Sequence, residues 1–554
     1  MEDFYKELQT SSVGILSKKD FMGLRDQLVK KYKLKNVPSI IKVLTNLPEL
    51  SPVLLSKPSR TISGVAPVAI MTQPFSCPPQ AKCTYCPGGP DSFFGSVPKS
   101  YTGNEPASMR AARNKFSAYA QVMNRLEQYS LLNHSFGKVE LIIMGGTFSA
   151  LPKVYQQNFI TEALQAMNDF SDMFFKNNVF DFNAFKNFFE LPADVHDPIR
   201  TSRILNKLLQ KKVSSLNFEQ CRNEVSNVRC VTMVIETRPD CCYEGEINFM
   251  LSLGATRVEL GVQSLSDEIL KKVKRGHDVN SSIAATKLVK DSFLKACHQI
   301  MPGLYEGVDE STSMIKELFS NQDFRPDALK IYPCMVLPGT ELHNEYLSNK
   351  FTPLTTEEAA EVLVEAKKFV PKYCRIMRIQ RDIPTHVTID GVGMTNFRQY
   401  VHALMKKRGI TCSCIRCREP RSRLISWDHV KLYRLDYKSS DGDEVFLSFE
   451  DVKNDILLGF LRLRCPSKPF RSEIKANTLG VRELHVYGQA TQFGEVGKIQ
   501  HHGLGRRLMD AAETIALDEF DAKKLIVISG IGVRHYYYKL GYSPDGVYVS
   551  KLLK

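Results

Sequence analysis

Long apolar runs are missing from this chain. None of its hydrophobic stretches approaches the roughly 18 residues that a membrane-spanning helix needs, although 43% of its 554 residues are hydrophobic. A secretory leader is missing as well: the first residues, MEDFYKELQT, are acidic and polar. Internal repeats and low-complexity tracts are absent, so neither a solenoid nor a disordered scaffold is expected. These absences lead to the expectation of a soluble protein in the reducing cytoplasm. There its 14 cysteines serve as ligands or buried thiols rather than disulfides.

What is present is length, charge and a rhythm of short strands. A chain of 554 residues is too long for one core and implies two or three domains. The net charge of +14 asks for a polyanionic partner. The basic run KKYKLK at 30–35 lies in a segment of short amphipathic helices, although a solvated helix face would look much the same. From Val65 onward, apolar strands alternate with helical stretches. They are VAPVAIM (65–71), VELIIMG (139–145), VTMVIE (231–236), TRVELGV (256–262), ACHQIM (296–301), ALKIYP (328–333) and YCRIMRIQ (373–380). Repeated βα units predict a parallel sheet with its site at the C-terminal ends of the strands. The aromatic-rich interval 153–228 reads as an insertion. Near 386 the rhythm stops, and 427–554 reads as strands, one long helix, then strand, helix and strand.

Cys77, Cys83 and Cys86 crowd the loop CPPQAKCTYCPGG after the first strand, and the next cysteine is Cys221. Closed structural zinc takes four protein ligands, whereas a four-iron cluster held by three thiolates leaves one iron open to a non-protein ligand. The βα context, the aromatic Tyr85 and the paired Gly88 and Gly89 favour the cluster. The arrangement resembles the radical S-adenosylmethionine (SAM) family, with a first gap of five residues where three is commonest. Later strand ends suit SAM: Gly145, Gly146 and Thr147 for its amino group, Glu236 for its ribose, Arg238 for its carboxylate, and Gln263. Each also has a structural reading, as a tight turn or an ion pair.

QHHGLG, residues Gln500, His501, His502, Gly503, Leu504 and Gly505, opens a long helix that Arg506 continues. Backbone N–H groups at such a helix start can hold a pyrophosphate. A strand ending in glycines, including Gly530, comes next, and then HYYYKLGY. The order resembles the acetyl-CoA core of GNAT acetyltransferases, with Tyr536 or Tyr537 as proton donor to a leaving thiolate. TCSCIRCRE brings Cys412, Cys414 and Cys417 together, a density of thiols for which zinc is the default metal. Cys374, His386 and His402 are candidates for the fourth ligand. Lys406, Lys407, Arg408, Arg416 and Arg418 are candidates for phosphate contacts.

The combination resembles the family of Elongator catalytic subunits. The resemblance runs through CTYCPGGPDSFFGSVPKSYTGNEPASMRA, MGGTFSALP, IETRPDCC, RVELGVQS, KRGH, FRPDALKIYP, RIQRDIP, VRELHVYG and HYYYKLGY, from about residue 50 to the end. The short N-terminus and extra linker cysteines look like archaeal or single-subunit forms. His298-Gln299 and Tyr538 depart from the usual pattern. The resemblance implies an α/β fold with a partial TIM-type radical SAM barrel (56–385) and a GNAT α+β domain (427–554); the residues themselves add a helical, basic segment as a tRNA-contact candidate (1–55) and a zinc-binding linker (386–426). It implies a [4Fe-4S] cluster, SAM and acetyl-CoA acting on C5 of the wobble uridine in the anticodon loop of tRNA. A 5′-deoxyadenosyl radical would take hydrogen from the acetyl methyl, and the product would be 5-carboxymethyluridine. An external electron donor and Elongator subunits or a second copy are the implied partners. Lys290 or Lys295 is the implied barrel lysine, Lys330 and Tyr332 face the same cavity, and Glu483, Leu484, His485 and Val486 join the acyl-CoA site. The rival readings are a protein lysine acetyltransferase with a structural iron–sulfur domain, and a non-enzymatic tRNA-binding scaffold.

Overall fold

The computed structural model describes residues 2–15, 17–47, 50, 54, 61–193, 197–488, 499 and 502–554. Seven strands succeed one another in chain order across one parallel sheet: β1 (Ala66–Met71), β2 (Lys138–Met144), β3 (Arg229–Thr237), β4 (Arg257–Gln263), β5 (Lys295–Ile300), β6 (Ala328–Ile331) and β7 (Arg375–Arg378). Each pairs in parallel with the next, and β1 and β7 remain edges. All seven expected strands are present to within about two residues at most ends. The result is the expected partial barrel, with helices outside and alternate side chains turned into its lumen.

The helices fit this arrangement by pattern. Helix α1 (Glu2–Ser11), α2 (Lys18–Lys31) and α3 (Ile40–Asn46) close a small core of their own around Phe4, Phe21 and Val43. Helix α4 (Lys153–Phe174) buries Ile160, Leu164 and Met167 in the same core as Val68, Ile143 and Ile235. It is therefore the crossover helix between β2 and β3, and only the segment from its C-terminal end to β3 is added to the βα unit. That addition folds around a cluster of phenylalanines, in which Phe170, Phe174, Phe185 and Phe189 lie ring against ring. Helix α5 (Val279–Asp291) joins β4 to β5, and α6 (Phe397–Lys407) comes after β7.

A second seven-stranded sheet is mixed. Strands β8 (Val430–Ser439), β9 (Gly442–Asp451), β10 (Ile456–Cys465) and β11 (Thr478–Val486) are antiparallel neighbours. Helix α7 (Leu504–Phe520) leads to β12 (Lys524–Val527), which runs parallel to β11. The short helix α8 (Arg534–Tyr538), then β13 (Ser543–Asp545) and β14 (Tyr548–Leu552) complete it. Pairing between β11 and β12 covers only Thr478–Val481, beyond which the two strands part.

This second domain sits on the N-terminal mouth of the barrel. Its barrel partners lie at or before the start of their strands. His485 Nε2 is 2.9 Å from the Ser63 carbonyl before β1, and Glu483 pairs with Lys295 at the head of β5 (3.0 Å). Arg482 pairs with Asp327 ahead of β6, and Arg462 donates to the Tyr373 carbonyl ahead of β7 (2.6 Å). Gly530 is pressed onto β3: a Cβ there would lie 2.0 Å from the Val231 carbonyl oxygen. Among the described residues no helix is long and apolar enough to cross a membrane.

Candidate active site in the barrel lumen

A cavity of about 560 Å³ runs along the barrel axis from the cysteine loop at the C-terminal mouth toward the second domain. Cys77, Cys83 and Cys86 all line it. Their sulfurs are not gathered within 4.8 Å of one another, in contrast to the linker triad. That wider setting fits a cluster held by three corners better than one ion. Arg275 Nη1 lies 3.4 Å and Arg238 Nη1 3.9 Å from Cys83 Sγ. Burial alone would raise the Cys83 thiol, but Arg275 and then Arg238 outweigh it and hold the group below its ordinary value. Cys77 is raised instead, by burial and by the two neighbouring thiols. The three thiols and two guanidiniums suit an anionic iron–sulfur cluster with thiolate ligands.

The loop after β2 turns through Gly145 and Gly146 at φ of 118° and 111°. A Cβ on Gly145 would lie 2.4 Å from Thr72 Oγ1, so glycine is required there. Gly146 and Thr147 line the cavity, and Thr147 Oγ1 is 4.0 Å from Cys77 Sγ. Gln263, at φ 72° where β4 leaves the sheet, also faces it. Arg238 reaches the site but is engaged: it donates to both Asp240 oxygens (2.9 Å each) and to the Arg275 carbonyl (2.6 Å). Its placement makes it a neighbour of Cys83 rather than a guanidinium waiting for a carboxylate.

At mid-lumen Lys330 pairs with Glu259 and with Glu236 (3.0 Å). Tyr101 Oη donates to Glu236 at 3.3 Å, and Gln299 Nε2 lies 3.4 Å from both carboxylates. Burial would raise Glu259, but Lys330 and then Arg257 bring it down to about 2. Lys330 itself is held well above the ordinary lysine value, because Glu259, Tyr332 and Glu236 outweigh its burial. Tyr332 lines the same space. Lys290 and Lys295 do not. The Lys290 ammonium donates to the Arg325 carbonyl (2.7 Å) and Ser439 Oγ (2.5 Å) at the domain contact, where burial pushes it down to about 7. Lys295 is held by Glu483. The Lys290 assignment is therefore corrected, because α5 turns that residue to the domain contact. Lys295 does not line the cavity, but it lies opposite Arg257 and on the same face of β5 as Gln299, so it stays on the lumen side with its ammonium held by Glu483.

In the second domain, Gly503 caps α7 in the left-handed region at φ 79°. Gly505 faces Tyr536, whose hydroxyl would lie 2.9 Å from a Cβ at that position, with Val486 beside it. These residues line the notch where β11 and β12 part. Tyr536 is 39% exposed and burial pushes its phenol up to about 12. Tyr537 is packed in the domain core and is a poorer donor. Leu484 packs on the same core, Arg506 is turned to solvent against Asp510 (4.0 Å), and the His502 ring lies 5.3 Å from Trp427. Gln500 and His501 lie outside the described residues. The Gly530 contact with Val231 accounts for that glycine by domain packing.

Cys412, Cys414 and Cys417 bring their sulfurs within 4.8 Å of one another, which suits tetrahedral zinc. Cys374, His386 and His402 are not in that group. Lys367 Nζ occupies the neighbourhood instead, 3.3 Å from Cys412 Sγ and 3.5 Å from Cys417 Sγ. Of the linker cations, Lys406, Lys407 and Arg408 are exposed. Arg418 is not: it is 1% exposed and forks onto Glu450. Arg416 turns to Glu419 (3.0 Å) and to the lumen, so neither is placed for a surface phosphate.

Known proteins agree with this geometry. The Radical SAM superfamily matches residues 79–318, and the Radical_SAM C-terminal domain matches residues 326–407. The "tRNA uridine(34) acetyltransferase" of Methanocaldococcus infernus is 46% identical over 565 residues, covering 99% of this chain and 97% of that protein. The "Elongator complex protein 3" of Saccharomyces cerevisiae is 39% identical over 548 residues, covering 96% and 91%. The chain belongs to the Elongator complex protein 3 family. A solved structure of the family, the archaeal Methanocaldococcus infernus Elp3 lacking residues 1–46, superposes with a TM-score of 0.72. It is 44% identical and covers 89% of this chain and 100% of that one.

Several lumen residues of this family member escape a reading by motif. Glu259 and Arg257 share with Gln263 an odd-number alternation along β4, which is the available signal. Arg275, from KRGH, and Tyr101 come from loops, where no periodicity applies. Gln299 stands out in the sequence only as a departure, yet it bridges the two carboxylates.

Proposed function

We propose that this protein carboxymethylates C5 of the wobble uridine of tRNA, with acetyl-CoA as carbon donor and SAM as radical source. The observation that carries the reading is the shared axis. The three-thiol loop and the Lys330–Glu259–Glu236 group open on one cavity, and the domain with the acyl-CoA notch is docked on its far mouth. A [4Fe-4S] cluster held by Cys77, Cys83 and Cys86 would supply the electron that cleaves SAM to its 5′-deoxyadenosyl radical. Arg275 and Arg238 stabilise the thiolate at Cys83. Gly145 and Gly146 bring backbone close to the ligand above β2. Lys330 stays protonated between two carboxylates and presents a fixed cation to a developing oxyanion. Tyr536, above the start of α7, is placed to protonate a departing thiolate.

The names of the relatives, which specify uridine 34 of tRNA, support the substrate. So do the exposed lysines of the 30–35 run and of α6. Reaching C5 requires the base to leave its stack, as an anticodon loop permits. The linker triad is read as a structural zinc site, and the setting as cytoplasmic. Partner subunits and an electron donor are expected as in the Elongator relatives.

The test is mass spectrometry of tRNA nucleosides after anaerobic turnover with reconstituted protein, SAM, reductant and methyl-labelled acetyl-CoA. Labelled 5-carboxymethyluridine that vanishes in Cys83→Ser supports the proposal. Acetylated lysine without SAM or tRNA, and no labelled nucleoside, replaces it with protein acetylation.

A further inference from the structure

Arg275 is a buried cation without a carboxylate. It is 8% exposed, and among the described residues no carboxylate oxygen lies within 4.0 Å of its guanidinium. A buried charge left alone is costly, so its counterion has to be found. Nε donates to His277 Nε2 (3.1 Å) and Nη2 to the Gly261 carbonyl (2.5 Å). Nη1 points at Cys83 Sγ, 3.4 Å away. The Tyr85 phenol is a neighbour as well, but burial keeps it protonated. Of these contacts, the Cys83 sulfur is the one that can answer a positive charge. Arg238 differs. It lies 3.9 Å from the same sulfur, yet both oxygens of Asp240 meet it.

The fold is built to keep Arg275 in place. Strand β4 carries a glycine where the guanidinium passes: a Cβ on Gly261 would lie 2.6 Å from Nη2. Gly276, at φ 82°, is pressed onto the cysteine loop, where a Cβ would lie 2.5 Å from the Gln80 carbonyl oxygen. Lys82 and Thr84 donate their backbone N–H groups to the Lys274 and Val273 carbonyls (3.2 and 3.1 Å). The turn that bears Arg275 and the loop that bears Cys83 are therefore one rigid piece. His277 is held in turn. Its Nδ1 lies 3.1 Å from the Asp278 carbonyl, which fixes the proton there and leaves Nε2 to accept from Arg275.

We propose that Arg275, positioned by His277, tunes the reduction potential of the cluster by placing an uncancelled cation and a hydrogen bond at the Cys83 sulfur. The inference rests on the reading of Cys77, Cys83 and Cys86 as cluster ligands. One electron from an external reductant adds one negative charge at the cysteine loop, and no bond to Arg275 forms or breaks. A fixed cation beside a ligating sulfur favours that reduced form over the oxidised one, so it raises the potential. Arg275 acts through Cys83, and His277 acts through Arg275; both are positioning residues.

The experiment is an EPR-monitored potentiometric titration of the anaerobically reconstituted full-length protein, with dithionite as reductant and no SAM. Arg275→Gln should be tenfold harder to reduce, a shift of ~59 mV to more negative potential for a one-electron couple. Arg275→Lys keeps the charge and should recover at least half of that shift. Arg238→Gln/Asp240→Asn removes a cation and its anion together and should move the midpoint less than half as far. An unchanged midpoint in Arg275→Gln, no recovery in Arg275→Lys, or an equal shift in the double variant overturns the proposal. Where Arg275→Gln holds no cluster, His277→Leu decides, since it keeps the charge but frees Nε: a lowered midpoint supports the proposal and an unchanged one overturns it. A parent protein with no iron–sulfur signal refutes the proposed function together with this inference. A parent with the signal, and a midpoint that does not respond to Arg275, overturns the inference alone.

Discussion

Replacing Lys330 by methionine removes the cation between Glu236 and Glu259 while keeping most of the buried volume. Glu259 is fully buried, and its displacement from an ordinary 4.5 to about 2 corresponds to roughly 3 kcal/mol. Breaking a buried pair from one side costs about 3–5 kcal/mol, which agrees in size. Arg257 remains 3.2 Å from Glu259, so the lower part of that range is expected at pH 7. The pH dependence has a definite sign. In the parent, Glu259 is depressed, so its contribution is present above pH 4.5 and is lost as pH falls toward 2. In Lys330→Met, burial dominates and the carboxylate pair is raised, so the deficit shrinks as acid supplies a proton to the pair. A 554-residue chain with two sheets is not expected to unfold in two states, so hydrogen exchange of the β4 and β6 amides is the assay, run between pH 5 and 8. Lys330→Met/Glu259→Gln should regain at least half of the loss. A deficit below about 0.5 kcal/mol at pH 7, or one that does not change with pH, refutes this electrostatic account of the mid-lumen.

Gly530→Ala drives a methyl group to 2.0 Å from the Val231 carbonyl oxygen, so limited proteolysis should cut between the domains faster, even without acyl-CoA. Cys414→Ser should lower zinc to well under one ion per chain by elemental analysis while leaving iron unchanged. Iron lost in parallel would place the two triads in one centre. Tyr536→Phe should slow acetyl-CoA turnover by roughly 10²-fold with little change in KM, as loss of a general acid does. An unchanged rate would return that tyrosine to a packing role.

The fold was legible because the chain's periodicities are strong. Apolar strands such as VELIIM and RVELGV recur between amphipathic helices, and the switch to alternating strands after 427 marks the second domain. The interval 153–228 was harder, since α4 is a regular crossover helix whose sequence looks no different from the added helices after it. The cluster loop stood out by its three crowded cysteines, although its first gap is unusual and the reading leaned on the strand before it, on Tyr85 and on the paired glycines. The misplaced Lys290 and the occupied Lys295 have one cause. Both sit in a motif-like stretch, but whether either ammonium is free for the lumen depends on which face of α5 and which end of β5 meets the second domain. That contact joins residues far apart in the chain, such as Lys290 with Ser439 and Lys295 with Glu483. The same distance in sequence hid the ion pairs of Arg257 with Glu140 and of Arg375 with Glu419, whose members belong to separate elements.

The domain contact is the feature that ties these observations together. Asp291, Asp327 and Glu444 are fully buried and are met by Arg464 and Arg482, with Arg462 bridging to Glu483. Such networks add little net stability over an apolar contact but strongly penalise any arrangement that separates the partners. Opening this interface by even a few ångströms would leave several buried charges unpaired, so hinge motion between barrel and second domain is costly.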